Sequence, residues 1–158
     1  MFERFKKKKT EEFFAPVDGS FVPLTAVADP VFSQKMMGEG FGIQPVASEI
    51  YAPIKGTVTT IFQTKHAIGL TSELGSEVLI HIGLDTVELA GAPFEVHVQV
   101  GQTVDENTLL VTADFEKVRA AGKGDVVLTL ITNGGESFDS IEKSLMKQGQ
   151  QLKKLISS

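Results

Sequence analysis

Apolar and β-branched residues fall in short runs along this chain, and Gly, Pro, Asp or Asn interrupts them at close intervals. The runs Gly56–Phe62, Glu77–Leu84, Phe94–Val100, Thr108–Thr112 and Asp125–Thr132 read as strands. Turn chemistry separates them at Val17-Asp18-Gly19, Glu39-Gly40, Ala90-Gly91-Ala92-Pro93 and Asn133-Gly134-Gly135. Many short strands punctuated in this way predict an all-β sandwich or barrel. The segments starting Ala15-Pro16-Val17-Asp18-Gly19 and Ala52-Pro53-Ile54-Lys55-Gly56 echo one another as two similar strand entries. Helical pattern is scarce. Asp114–Ala121 predicts two turns, with Asp114 as N-cap and Gly122 as the stop. The residues around Ile141 and Leu145 suggest a second short helix, Lys147–Gln150 a turn, and Gln150–Ser158 a last strand.

At 158 residues the chain fits one domain. Residues 1–10 read as a flexible basic tail, carrying Lys6 to Lys9, and residues 11–158 as the domain. Phe2 and Phe5 beside those lysines offer weak attachment to anionic lipid as an alternative to a solvated arm. Hydrophobic residues make up 42% and charged residues 22%, a globular balance. A formal net charge of −5 argues against general affinity for nucleic acid, which needs a basic surface. The chain has no cysteine, which excludes disulfides, thiolate metal sites and cysteine nucleophiles and suits a reducing compartment. Its longest apolar runs fall short of the ~18 residues a spanning helix needs. The N-terminus shows no secretory signal pattern. A cytoplasmic location is expected.

With no thiol available, chemistry near pH 7 points to the three histidines, His66, His81 and His97. His81 lies in Val78-Leu79-Ile80-His81-Ile82-Gly83-Leu84. Strand alternation puts Val78, Ile80, Ile82 and Leu84 on a core face and His81 on the other, with Leu79, Gly83 and Asp85. Gly83 would leave room over the ring for a bulky group, and Asp85 can orient an imidazole or favour its cation. A histidine merely tolerated on a half-exposed strand fits the same spacing. In an extended Thr64-Lys65-His66, Thr64 and His66 share a face. Thr64 would accept a hydrogen from one ring nitrogen of His66 and leave the other to donate. A turn within Gly69–Gly75 would bring His66 near His81. His97 reads as a solvated strand residue, with Val96, Val98 and Val100 facing inward.

The stretch Gly75-Ser76-Glu77-Val78-Leu79-Ile80-His81-Ile82-Gly83-Leu84-Asp85-Thr86-Val87 resembles the active-site signature of glucose-class enzyme IIA domains of the bacterial sugar phosphotransferase system. That signature is Gly, two residues, three apolar residues, His, apolar, Gly, apolar, any residue, Thr, apolar. Asp29-Pro30-Val31-Phe32 with Met37-Gly38-Glu39-Gly40, Ala52-Pro53-Ile54-Lys55-Gly56, Thr64-Lys65-His66-Ala67 and Val100-Gly101-Gln102-Thr103-Val104 are similar to further elements of the family. The resemblance covers about residue 11 to 158. It implies an all-β, single-domain antiparallel β sandwich (a distorted barrel-sandwich) with one or two short helices. It implies that His81 accepts a phosphoryl group through Nε2 from the histidine-containing phosphocarrier HPr and passes it to a cysteine of a IIB domain, and so to sugar entering through the IIC permease. His66 would support that transfer, Thr64 would orient His66, and Asp85, at the signature's unspecified position, is carried over with them. No cofactor is required on this reading. A regulatory role, acting on transporters or kinases through the phosphorylation state of His81, is also implied for the class.

Because the next acceptor must lie on another polypeptide, an apolar docking patch is expected, with Val31, Phe32, Met36, Met37 and Phe41 as candidates. The rival reading is a zinc site using His66, His81 and Asp85. No His-Glu-x-x-His spacing supports a hydrolase, but zinc held by His66 and His81 together with a partner's ligands stays open.

Overall fold

The computed structural model of the chain describes residues 9–141 and 145–157, and strands dominate them. Among the described residues thirteen strands form three sheets with antiparallel neighbours throughout. The largest sheet runs β12 (Leu145–Met146), β2 (Gly19–Pro23), β3 (Glu39–Pro45), β11 (Gly124–Ile131), β7 (Glu77–Leu84), β6 (Ala67–Ser72), β5 (Gly56–Ile61) and β9 (Thr103–Val104). A second has β4 (Glu49–Tyr51), β10 (Leu109–Ala113) and β8 (Phe94–Val96), and a third pairs β1 (Lys9–Phe14) with β13 (Gln151–Ser157). The expected all-β sandwich is therefore what these residues build. No helix among them is long and apolar enough to cross a membrane. Strand β1 begins within the segment expected to be a tail, while Met1 to Lys8 lie outside the described residues.

The sheets enclose a main core that includes Phe13, Phe21, Phe41, Ile80, Ile82 and Phe138, all essentially inaccessible to solvent. A smaller apolar cluster of Leu24, Val27, Phe32, Val126, Leu128 and Leu130 covers the opposite face of the large sheet, with Leu79 and Leu84 against it. Strand β11 feeds both clusters by alternation: Val127 and Ile131 point one way, Val126, Leu128 and Leu130 the other. Strand β7, hydrogen-bonded between β11 and β6, is thus held on both edges, and its faces meet different environments.

Two α-helices are present among the described residues. Helix α2 (Phe115–Ala120) matches its sequence signals: the Asp114 side chain accepts from Lys117 N at 3.2 Å, and Gly122 follows at φ +77. Helix α1 (Pro30–Ser33) is one turn long, too short to show a periodicity. It starts from Asp29, whose side chain accepts from Val31 N at 2.9 Å, and Pro30 at the first helical position.

Several sequence expectations give way to tertiary context. Leu145 and Met146 form an edge strand on β2 instead of a helical segment. Glu39-Gly40 opens β3 and makes no turn; a side chain at Gly40 would collide with the Thr129 carbonyl of β11, so glycine serves a close strand approach there. Strand β8 ends at Val96, and Val100 is 62% exposed in a turn that Gly101 completes at φ +94. Leu84 leaves the core face because Gly83, at φ +79, breaks the alternation where the β7–β11 register slips.

Candidate active site

His81 stands on β7 opposite Leu128 of β11 and Ala67 of β6. Its side chain lies on the face of the smaller cluster, partly exposed, as alternation requires. Nδ1 of the ring is 2.8 Å from the carbonyl oxygen of Gly83. A carbonyl only accepts, so Nδ1 carries the proton of the neutral ring and Nε2 keeps its lone pair. Gly83 earns its place through the backbone, not by leaving room over the imidazole. A Cβ there would meet Thr86 Cγ2 at 2.5 Å and the Gly124 carbonyl at 2.7 Å, and φ is +79.

His66 precedes β6, so the β6–β7 hairpin fixes its position relative to His81: its carbonyl accepts from Ile82 N at 2.7 Å. The chain reverses at Glu73–Ser76, and Gly69 lies within β6, not in the turn. The two imidazoles meet edge to face, with centroids 5.0 Å apart and planes at 85°. Thr64 Oγ1 lies 2.6 Å from His66 Nδ1. The expected contact therefore forms, although the segment is not extended: residues 63–66 turn between β5 and β6, and Lys65 adopts φ +61. The direction of this bond also needs revision. A neutral imidazole has one N–H, so Nε2–H of His66 is available to donate only when the Thr64 hydroxyl donates to Nδ1.

Two aromatic rings close the row. Phe32 of α1 packs on His81 at 5.0 Å, and Phe62 packs edge-on to His66 at 5.4 Å. In the sequence Phe62 reads only as the end of a strand; its place beside the Thr64-Lys65-His66 turn is the one signal it offers. Phe32 is buried against His81, whereas Phe41 is fully buried in the main core and cannot meet a partner. Val31, Met36 and Met37 are 40%, 69% and 39% exposed on the segment that carries Phe32. Asp85 is exposed at φ +58 and acts on His81 through its field, as does Asp29. Nδ1 donates its hydrogen bond to the Gly83 carbonyl instead. His97 lies elsewhere, exposed, bonded to Thr112 Oγ1 at 2.8 Å.

Burial lowers the pKa of His81 to about 4, helped by the neighbouring His66 and opposed by the Gly83 carbonyl, Asp29 and Asp85. Burial also lowers that of His66. At neutral pH the site thus holds an uncharged nucleophilic nitrogen next to an uncharged imidazole. As a metal site it is half-built. Two imidazoles supply two of the four ligands zinc takes, and among the described residues no group of three or more His, Cys, Asp or Glu could hold a metal. Asp85 does not complete the set.

A family model for the phosphoenolpyruvate-dependent sugar phosphotransferase system, EIIA 1, matches residues 11–137. The chain belongs to that family. This EIIA is 53% identical over 128 residues to a PTS system glucose-specific EIICBA component of Streptococcus pneumoniae serotype 4, a match covering 81% of the chain. It spans 18% of that relative's length. Its fold is similar to that of glucose permease IIA from Mycoplasma capricolum, with a TM-score of 0.83 and 36% identity, covering 92% of this EIIA and 96% of the permease chain.

Proposed function

We propose that His81 is the phosphoryl acceptor of this EIIA and that HPr and a IIB domain are its donor and recipient. The observation that carries this reading is the bond from His81 Nδ1 to the Gly83 carbonyl, which leaves Nε2 as the free nucleophile. In the first step the N–P bond of phosphorylated HPr breaks as an N–P bond forms to Nε2 of His81; Nδ1 keeps its proton. In the second, the phosphoryl group leaves Nε2 for a cysteine thiolate of the IIB domain, and His81 returns to its neutral state.

Phosphoryl transfer asks the protein mainly for an in-line nucleophile and for charge stabilisation. His66 supplies the latter, its Nε2–H donating to a phosphoryl oxygen while Thr64 holds Nδ1. A neutral donor stabilises the developing charge without the full attraction of a cation, which suits a group that must be passed on. The exposed Val31, Met36 and Met37 offer an apolar surface on which donor and recipient dock in turn. A cytoplasmic location is part of this reading, since the carrier and its phosphoenolpyruvate-driven supply act there.

Incubation with enzyme I, HPr and labelled phosphoenolpyruvate, followed by mapping of the labelled residue, tests it. Acid-labile label on His81 is the expected result. Label on His66 or His97, or label retained by His81→Ala, overturns it.

A further inference from the structure

Phe32 is the only buried residue of α1, and its ring forms one wall of the His81 environment. A four-residue helix does not hold itself together, because nucleation costs more than one turn returns. Something else must keep Phe32 in place. Three residues on, Lys35 sits at φ +60, a conformation that disfavours any side chain. Its backbone N–H returns to the Phe32 carbonyl at 3.0 Å. Its ammonium reaches Asp139 Oδ2 at 2.6 Å and Glu39 Oε1 at 3.0 Å. All three groups are half-buried, and both carboxylates raise the lysine's pKa.

Asp139 is a firm anchor. The preceding Phe138 is fully buried, its ring 5.3 Å from that of Phe13 and 5.1 Å from that of Phe41 in the main core. Glu39 opens β3, paired with Ile131 of β11. Asp139 Oδ1 is buried without a hydrogen-bond partner, so the lysine's charge on the neighbouring Oδ2 is what compensates that carboxylate. A continuous path of contacts runs from the core through Phe138, Asp139, Lys35 and Phe32 to His81.

We propose that Lys35, clamped by Asp139 and Glu39, is a positioning residue that holds Phe32 against His81 and so keeps that imidazole sheltered from solvent. The proposal deepens the reading of His81 as the phosphoryl acceptor, on which its relevance to transfer rests. Its structural content stands apart, because the state of the ring is measurable without a phosphoryl donor. The charged and titratable groups acting on that ring are His66, Asp29 and Asp85, and none of them belongs to the clamp. Loosening the clamp therefore acts on His81 through Phe32 and solvent access.

The test is titration of the histidine ring protons by NMR in the full chain. Lys35→Met leaves two carboxylates facing one another without their cation and frees the segment. Asp139→Asn is milder, keeping shape and the Glu39 contact. In both, the His81 midpoint should rise from about 4 toward the ordinary 6.5, while the midpoint of His66, which is walled by Phe62, does not rise with it. Lys35→Arg should restore the low midpoint. A His81 midpoint unchanged in either folded variant, or His66 and His81 moving together, overturns the proposal. If Lys35→Met does not fold, Asp139→Asn decides. Failure of His81 to take up phosphate in the unaltered protein would refute the acceptor reading and leave this titration result untouched.

Discussion

Nδ1 of His81 donates to the carbonyl of Gly83, its neighbour two residues along the same strand. The bond ties the tautomer of the ring to a backbone kink, since the accepting carbonyl belongs to Gly83, which sits at a left-handed φ of +79. Ring tautomer and backbone conformation are thereby a single device.

Gly83→Ala tests that device. A methyl group would press on Thr86 and on the Gly124 carbonyl in a conformation hostile to side chains. Stability should fall by roughly 1–3 kcal/mol, seen as a lower urea midpoint at unchanged slope. Residual folded protein should take up phosphate more slowly than the parent. An unaltered midpoint would show that the close packing around Gly83 is not limiting.

The protonation state of His81 gives a second prediction. With the pKa lowered to about 4, the ring stays neutral down to pH 5, and its NMR titration should centre near 4. The sign of the stability effect follows. The unfolded chain takes up this proton near 6.5 and the folded chain only near 4, so stability is complete above 6.5 and declines between those values. The decline approaches, for this one group, about 1.4 kcal/mol per pH unit. A midpoint near 6.5 would contradict the burial described here.

His66→Gln should still be phosphorylated at His81, because Nε2 of His81 is untouched. Onward transfer to the IIB cysteine should drop by about 100-fold, the scale of losing one well-placed donor at a developing charge. Single-turnover transfer from the phosphorylated variant measures it. Wild-type onward rates would remove His66 from the supporting role.

Thr64→Val removes the hydroxyl that sets the His66 tautomer while keeping its volume. Onward transfer should slow several-fold, with stability little changed, and nitrogen chemical shifts of His66 should report a mixture of tautomers. Thr64→Ser should recover most of the rate. An inactive Thr64→Ser variant would mean that the methyl group, not the hydroxyl, is what matters.

Much of this was legible in the sequence, and the failures share a cause. Period-two alternation from Val78 to Ile82 located β7 and the face of His81, because local pattern and burial agree there. Leu84 broke the pattern because a positive φ at Gly83 is a backbone event that alternation does not encode. The Thr64–His66 contact rests on a turn at Lys65, at φ +61, where alternation predicts an extended segment. Phe62 and Lys35 were missed altogether: one is an ordinary strand-end aromatic, and the other meets Asp139 across 104 positions of sequence. Such pairings belong to topology, and no local window contains them.

The pairing of Ala67 with His81 across β6 and β7 has a consequence for how the site can vary. A ladder admits only whole steps. Sliding one strand by a single residue turns the imidazole through to the opposite side of the sheet, and sliding it by two displaces the ring about 6.7 Å. The gap between the two imidazoles thus has no gradual adjustment through backbone drift, and a chain that mispairs these strands loses the facing pair altogether.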